Sequence, residues 1–419
     1  MHMGINKREA SGILAAIILM FIMGILTVLF TNWLTGGTDD KTMTQGVMTS
    51  SEVKKNEVTV WYYNDEFTPF LDAANVIYEK ECGIKLNCIK VKEENYLELV
   101  NEHNISGIDI PDIYIMNSSM LEKAVLAGLT EENTNDDIFN NNVYSDTAIS
   151  AVTYKGRKQA YPLNFDTSFM VYNTAYTQNP PATFDDIINF SNSVDETISG
   201  LVENILLWDV KGLMYNYGFA GGYLEYGGKN GDDVSVKSFT NDKLIKSMAY
   251  YHNLNQIFSI DINSETYDDV ITRFSQGKVV YAILKTDGIK RLEEAEGQVG
   301  YNTVVLPDLN SELTTRTLSV TNVAVVNPYA DNGDKAENAA EFLSYDMANI
   351  MYESTGKLSA KKDIEYENSH LNVILNQYDK SVNLPKLMEA GDFGAKLESV
   401  LNQIWQGADI QQSLSSLER

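Results

Sequence analysis

Residues 154–173 read YKGRKQAYPLNFDTSFMVYN, a turn signal followed by two β-type segments with polar groups between them. In its first part, YKGRKQAYPL, β-formers flank the pair Lys155-Gly156, which predicts a hairpin whose turn uses the conformational freedom of Gly156. A strand follows at Pro162, a residue with a fixed φ and no ladder donor, and the apolar run from Ser168 to Tyr172 predicts a buried strand ending at Asn173. Asn164, Phe165 and Asp166 lie between these two strands, polar and aromatic groups at a point where the chain passes from one domain to another. Such a passage puts Asp166 at the mouth of a cleft.

Working outward, 419 residues are too many for one compact core, so two large lobes are expected. With 32 Lys and Arg against 58 Asp and Glu the formal charge is -26, which excludes nucleic acid as a partner because phosphate binding needs a concentrated basic surface. Acidity by itself agrees with the solubility of an exported protein. Residues 12–34, GILAAIILMFIMGILTVLFTNWL, carry no charge. At about 1.5 Å rise per residue they span a hydrocarbon core of roughly 30 Å.

Lys7 and Arg8 precede that run, and Asp39 and Asp40 follow it. The positive-inside bias then places residues 1–11 in the cytoplasm, a transmembrane anchor at 12–34 with Trp33 at its outer interface, and the globular part outside the cell. A cleaved signal peptide is the alternative; the length of the run and the lack of a clear small-x-small site favour an uncleaved anchor. Residues 35–57, rich in Thr, Ser, Gly and charge, read as a flexible tether. Cys82 and Cys88 sit where a helix end meets a strand, and their spacing leaves a disulfide open. With four His and no second Cys or His pair at ligand spacing, no zinc or other metal site is expected.

The opening stretch resembles the extracellular solute-binding proteins of ABC importers, in particular the maltose-type, carbohydrate-directed class, in which a Y-x-G-x-x-x-AYP hairpin leads into the first crossover and a strand ending in YN. The resemblance extends to VTVWYYNDEFTPFLDAANVIYEKECGIKL at 58–86, PDIYIMNSSMLEKAVLAGL at 111–129, PPATFDDI at 180–187, FSQGKVVYAIL at 274–284, Lys357 to Ala360 and the tail up to Leu414. It implies an α/β, two-lobed periplasmic-binding-protein-like fold of type II with a three-segment hinge. The lobes would be 58–165 with 322–358, and 166–321 with 359–419, the second crossing lying near Ser319 to Val323. The implied function is capture of a carbohydrate, an oligosaccharide, by a monomeric protein without cofactor, for delivery to ABC permease subunits in the membrane. One departure is that neither Cys82 nor Cys88 can be the lipidated Cys that usually follows the signal segment in Gram-positive relatives.

Candidate ligand-binding residues follow from strand ends. The loop NDEFTP after VTVWYY lies at the carboxyl end of a strand, where open sheets bind ligands, so Tyr63, Asp65 and Glu66 face the cleft. Asp65 equally fits a helix cap. The strand IDIPDIYIM ends at Met116, so Asn117 and Ser118 suit either sugar hydroxyls or an N-cap. Among the aromatics of 204–226, Trp208 is the candidate sugar platform, with burial in the core as its alternative. GGKNGDD at 227–233 reads as a surface turn built on Asn230-Gly231. The resemblance adds Asp287, standing in KTDGI where relatives carry an aromatic, and Phe393, near a family ligand position; Gly394 replaces a family Trp, which speaks against maltodextrin specificity.

No G-x-G-x-x-G, P-loop, H-E-x-x-H or G-x-S-x-G occurs, so the common nucleotide, zinc and hydrolase signatures are absent and no catalytic residue is assigned. Two rival readings remain open at this level. One is a membrane-anchored ligand sensor coupled to a kinase; the other is a glycoside-active enzyme using carboxylates such as Asp65, Glu66 and Asp166.

Overall fold

The computed structural model describes residues 56–418 apart from Ser264 and Gln298, and without the side chain of Thr197. The expected anchor at 12–34 and most of the expected tether therefore lie outside the described residues. Among the described residues no helix is long and apolar enough to cross a membrane.

The chain begins with β1 (Glu57–Tyr62), α1 (Phe67–Cys82), β2 (Lys85–Lys90), α2 (Tyr96–Ser106) and β3 (Ile113–Asn117), in which β1 pairs in parallel with both β2 and β3. α1 forms because Phe67, Phe70, Leu71, Ala74 and Tyr78 recur three and four residues apart, so one stripe is buried. Next come α3 (Leu121–Leu126), α4 (Asp146–Val152) and the hairpin of β4 (Thr153–Tyr154) with β5 (Arg157–Lys158). Its turn places Lys155 at φ 48° and Gly156 at φ 83°, so two left-handed residues, not the glycine alone, make it.

β6 (Tyr161–Asn173) then runs unbroken. The expected pair of strands separated at Asn164 to Asp166 is one strand of 13 residues, about 40 Å long at a rise of about 3.3 Å per residue. Its polar centre keeps strand geometry because the chains on either side supply ladder partners there. After it lie α5 (Phe184–Ser193), α6 (Glu196–Ser199), β7 (Asn204–Leu207), α7 (Leu213–Ala220), β8 (Glu225–Tyr226), β9 (Lys237–Ser238), α8 (Asp242–Phe258), α9 (Tyr267–Ser275), β10 (Val279–Lys285), α10 (Gly288–Glu294) and β11 (Tyr301–Val304). Thr183 with Asp186, and Thr266 with Asp269, make capping boxes that start α5 and α9. The chain closes with β12 (Leu318–Val326), α11 (Gly333–Tyr345), α12 (Met351–Thr355), β13 (Leu358–Ser359), α13 (Ser369–Lys380), β14 (Val382–Asn383), α14 (Ala390–Trp405) and α15 (Ile410–Ser415).

The main sheet has the order β2-β1-β3-β12-β6-β10-β7, with β11 and β13 also on β6 and β14 on β12. Its two halves are the two lobes. In one, residues 322–326 of β12 pair with β3; in the other, residues 168–173 of β6 pair with β10 and β11. Between them, at Asn164 and Phe165, β6 has β12 on one edge and β13 on the other, so three chain segments lie side by side. The β6–β12 register shifts between Asn322 and Val323, opposite Pro162, which has no N–H to give the ladder. Tyr378 of α13 stacks on Phe165 with centroids 3.7 Å apart and planes 3° from parallel, backing the three strands with a flat apolar contact.

Residues 227–233 form the expected turn at Asn230-Gly231, with Lys229 and Asn230 exposed and the Gly231 N–H bonded to the Gly228 carbonyl at 3.1 Å, but its far side is tied down. Gly231, at φ 68°, lies so close to the Pro385 backbone that an added Cβ would come within 3.2 Å of Pro385 Cα. Asp232 is buried and accepts the Lys155 backbone N–H at 2.8 Å, tying this loop to the β4–β5 turn. Cys82 is an exposed free thiol and Cys88 a partly buried one, so the open question of a disulfide resolves to none.

Candidate functional site

Where the three strands lie together, polar side chains from distant parts of the chain meet. Glu66, in the loop between β1 and α1, stands at the N-cap position of α1 but makes no capping bond. Its carboxylate turns instead to Lys357, whose Nζ lies 3.0 Å from Oε1 and 2.9 Å from Oε2. The same Nζ is 3.8 Å from Oδ2 of Asp166 on β6. Asn322 of β12 donates from Nδ2 to Glu66 Oε1 at 3.3 Å and to Asn164 Oδ1 at 2.8 Å. Glu66 thus receives donors from β12 and from the residue preceding β13, while β6 supplies Asp166 beside them.

Asp166 is buried and its Oδ1 accepts the Thr286 backbone N–H at 3.1 Å, which links β6 to the end of β10. Asp287 follows; it accepts from the Tyr267 hydroxyl at 2.9 Å and has Lys285 Nζ at 3.7 Å. Burial pulls the Lys357 pKa down, but Asp166, Glu66 and Asp287 outweigh it and hold the ammonium above the usual lysine value. Burial and the charge of Asp166 push the Asp287 carboxyl up, with Lys285 opposing. Tyr215 and Tyr267, ring centroids 5.6 Å apart, lie close enough to Asp166 and Asp287 that burial first, and those charges second, raise both phenols.

On the other side, Tyr63 packs edge-on against Tyr96 with centroids 4.9 Å apart. Its phenol is raised by burial first and then by Glu93 and Glu66, with the Asn117 backbone opposing. The arrangement offers acceptors, donors and aromatic walls. Among the described residues no group of three or more potential metal ligands exists.

A sequence profile of the family described as bacterial extracellular solute-binding protein matches residues 73–365. The chain belongs to that family. Solved structures share its fold. An extracellular solute-binding protein from Staphylococcus aureus, in complex with maltose, is 19% identical with a TM-score of 0.75 over 87% of this chain and 96% of that one. A cyclo/maltodextrin-binding protein complexed with maltotetraose is 18% identical, with a TM-score of 0.74 over 87% and 95% of the two chains. A maltose-binding periplasmic protein from Listeria monocytogenes, in complex with maltose, is 18% identical, with a TM-score of 0.69 over 86% and 96%.

In this solute-binding protein the expected ligand residues divide. Tyr63, Glu66, Asn117, Asp166 and Asp287 border the cluster just described. Asp65 does not; its side chain is 82% exposed and pairs with Lys90, and it caps nothing. Asn117 serves its alternative role, accepting the Ser119 N–H at 2.9 Å as an N-cap, and Ser118 is buried behind it.

Two stacking candidates are corrected. Trp208 is fully buried, edge-on to Trp405 at 5.1 Å, with Nε1 donating to Asn216 Oδ1 at 2.8 Å, so it has no face to offer a ligand. Phe393 is buried against Tyr226 at 4.2 Å and Phe239 at 5.3 Å, because α14 needs an apolar partner in the β8–β9 hairpin. The sequence reading missed Lys357, Asn322, Tyr215 and Tyr267 as site residues. The first two stand in segments it had assigned to the third and second crossings, so their position was a usable signal.

Proposed function

We propose that this protein captures a carbohydrate, an oligosaccharide, between its two lobes and delivers it to an ABC permease, acting outside the cytoplasm as a monomer that binds without turning its ligand over. The boundaries are those of the crossings, with 58–165 and 322–358 in one lobe and 166–321 and 359–419 in the other; residues 12–34 hold the protein to the membrane. One observation carries the reading: Glu66, Asp166 and Asp287, carboxylates from three separate parts of the chain, converge where β6, β12 and β13 run side by side. Carboxylates accept hydroxyl pairs, and Tyr63, Tyr215 and Tyr267 supply rings beside them. The ligands of the similar solved structures, maltose and maltotetraose, support the class of solute.

Ligand that touches both lobes shifts the population toward the closed form by its differential affinity for that form. A thermal-shift screen of mono- and oligosaccharides tests the reading, since a ligand bound only by the native state raises the melting temperature. A panel of neutral and charged sugars that leaves the melting temperature unchanged, with calorimetry equally silent, sinks it.

A further inference from the structure

We infer that the Lys357 ammonium is a built-in counter-cation that sets the selectivity of the cleft, admitting neutral polyhydroxylated solutes and turning away those that carry an amine. The inference rests on the reading of this cleft as the solute site. Lys357 Nζ touches both oxygens of Glu66, at 2.9 and 3.0 Å, and stands 3.8 Å from Asp166. The three side chains are 14%, 17% and 9% exposed, so the cation is held among the acids and not displayed on a surface. A bound amine would seek the same carboxylates, and there it would meet an ammonium already in place. A neutral hydroxyl meets no such repulsion and finds lone pairs that the cation leaves free.

The backbone fixes this cation. Gly356, at φ 72°, ends α12, and Thr355 Oγ1 accepts the Lys357 N–H at 3.0 Å, so the lysine leaves the chain in a set direction. A Cβ on Gly356 would stand 3.7 Å from Asp287 Cβ, so the turn that carries Lys357 also packs on the third acid. Asn322, donating to Glu66 and Asn164, holds the first acid against the second strand of the crossing. Replacing Lys357 by an uncharged side chain leaves Glu66 and Asp166 next to one another without a cation, an arrangement that must take up a proton or, at a pH where both acids are ionised, a cation from solution.

The experiment has two arms on the full chain. In the first, the melting temperature of Lys357→Ala is measured in ethylammonium chloride and in potassium chloride at equal ionic strength; the amine is expected to raise it in the variant and not in the wild type. Lys357→Met, which keeps the alkyl stem, takes its place if the alanine variant does not fold, and Lys357→Arg is expected to behave as wild type. In the second arm, calorimetry compares cellotriose, the β-1,4-linked glucose trimer, with the β-1,4-linked trimer of glucosamine, which differs from it only by an ammonium in place of each 2-hydroxyl. Wild type is expected to prefer the neutral trimer by about tenfold or more, and the uncharged variants to reverse that order. No amine effect on the variants, or a wild type that binds the glucosamine trimer as well as it binds cellotriose, overturns the inference. Rescue by ethylammonium with no sugar bound by any protein upholds the counter-cation and removes the carbohydrate reading.

Discussion

Lys386 Nζ donates to the carbonyl of Ser150 at 2.6 Å, joining the segment after β14 to the last turn of α4. The same ammonium donates to the Asn230 carbonyl, and Glu122 of α3 accepts the Met388 N–H at 2.7 Å and the Tyr154 hydroxyl at 2.8 Å. The segment from Lys386 to Met388 is therefore fastened to α3, to α4 and to the loop at Asn230.

Lys386→Met removes a donor shared by two carbonyls and is expected to cost about 1–3 kcal/mol of stability, read from urea unfolding. Burial lowers the Lys386 pKa to about 8, with Asp232 opposing. Between pH 8 and the ordinary lysine value of 10.5 the unfolded chain holds a proton that the folded protein has released, so this lysine's contribution to stability rises with pH across that window. The wild-type advantage over Lys386→Met should grow from pH 8 to 10; an advantage that shrinks refutes the assignment.

Asp166→Asn keeps an oxygen for the Thr286 N–H and removes the charge beside Lys357. On the proposed function it is expected to fold and to bind a sugar ligand more weakly, by about tenfold or more in calorimetry, one charged hydrogen bond being worth about 1.5–3 kcal/mol. Asp166→Ala also orphans the Thr286 N–H and should lose a further ~1–3 kcal/mol of stability. Unchanged affinity in both variants removes Asp166 from the site.

Trp208→Phe deletes the donor to Asn216 and leaves space beside Trp405, so a loss of about 1–3 kcal/mol is expected with ligand affinity intact in the folded protein. A selective loss of affinity would restore Trp208 as a stacking residue.

The two thiols should separate by alkylation. Burial pushes Cys88 up to about 12, so little thiolate forms at pH 8, whereas Cys82 is exposed. Iodoacetamide followed by mass spectrometry should label Cys82 far ahead of Cys88; equal rates would contradict the packing of β2.

Much of the fold was legible because burial imposes a period on the chain. The stripe of α1, the start of α5 at Thr183 and the apolar ends of β6 each report their own local environment, and the polar break at Asn164 to Asp166 suggests a passage between lobes; crossings near Ser319 to Val323 and at Lys357 are what the family resemblance implies and no local period shows them. Which side chains meet where the strands cross was only partly legible. Trp208 and Phe393 read the same whether a ring lies in a core or lines a gap, and only the approach of Trp405 and Tyr226 decides between these.

Length, composition and local pattern were enough to expect an acidic two-lobed α/β chain with Asp166 where the chain passes between lobes. That Glu66 meets Lys357, 291 positions further along, shows only in the folded chain. Pairing between neighbours leaves a local pattern, but a contact at that separation depends on how three strands align at the crossing, and no local period records that alignment.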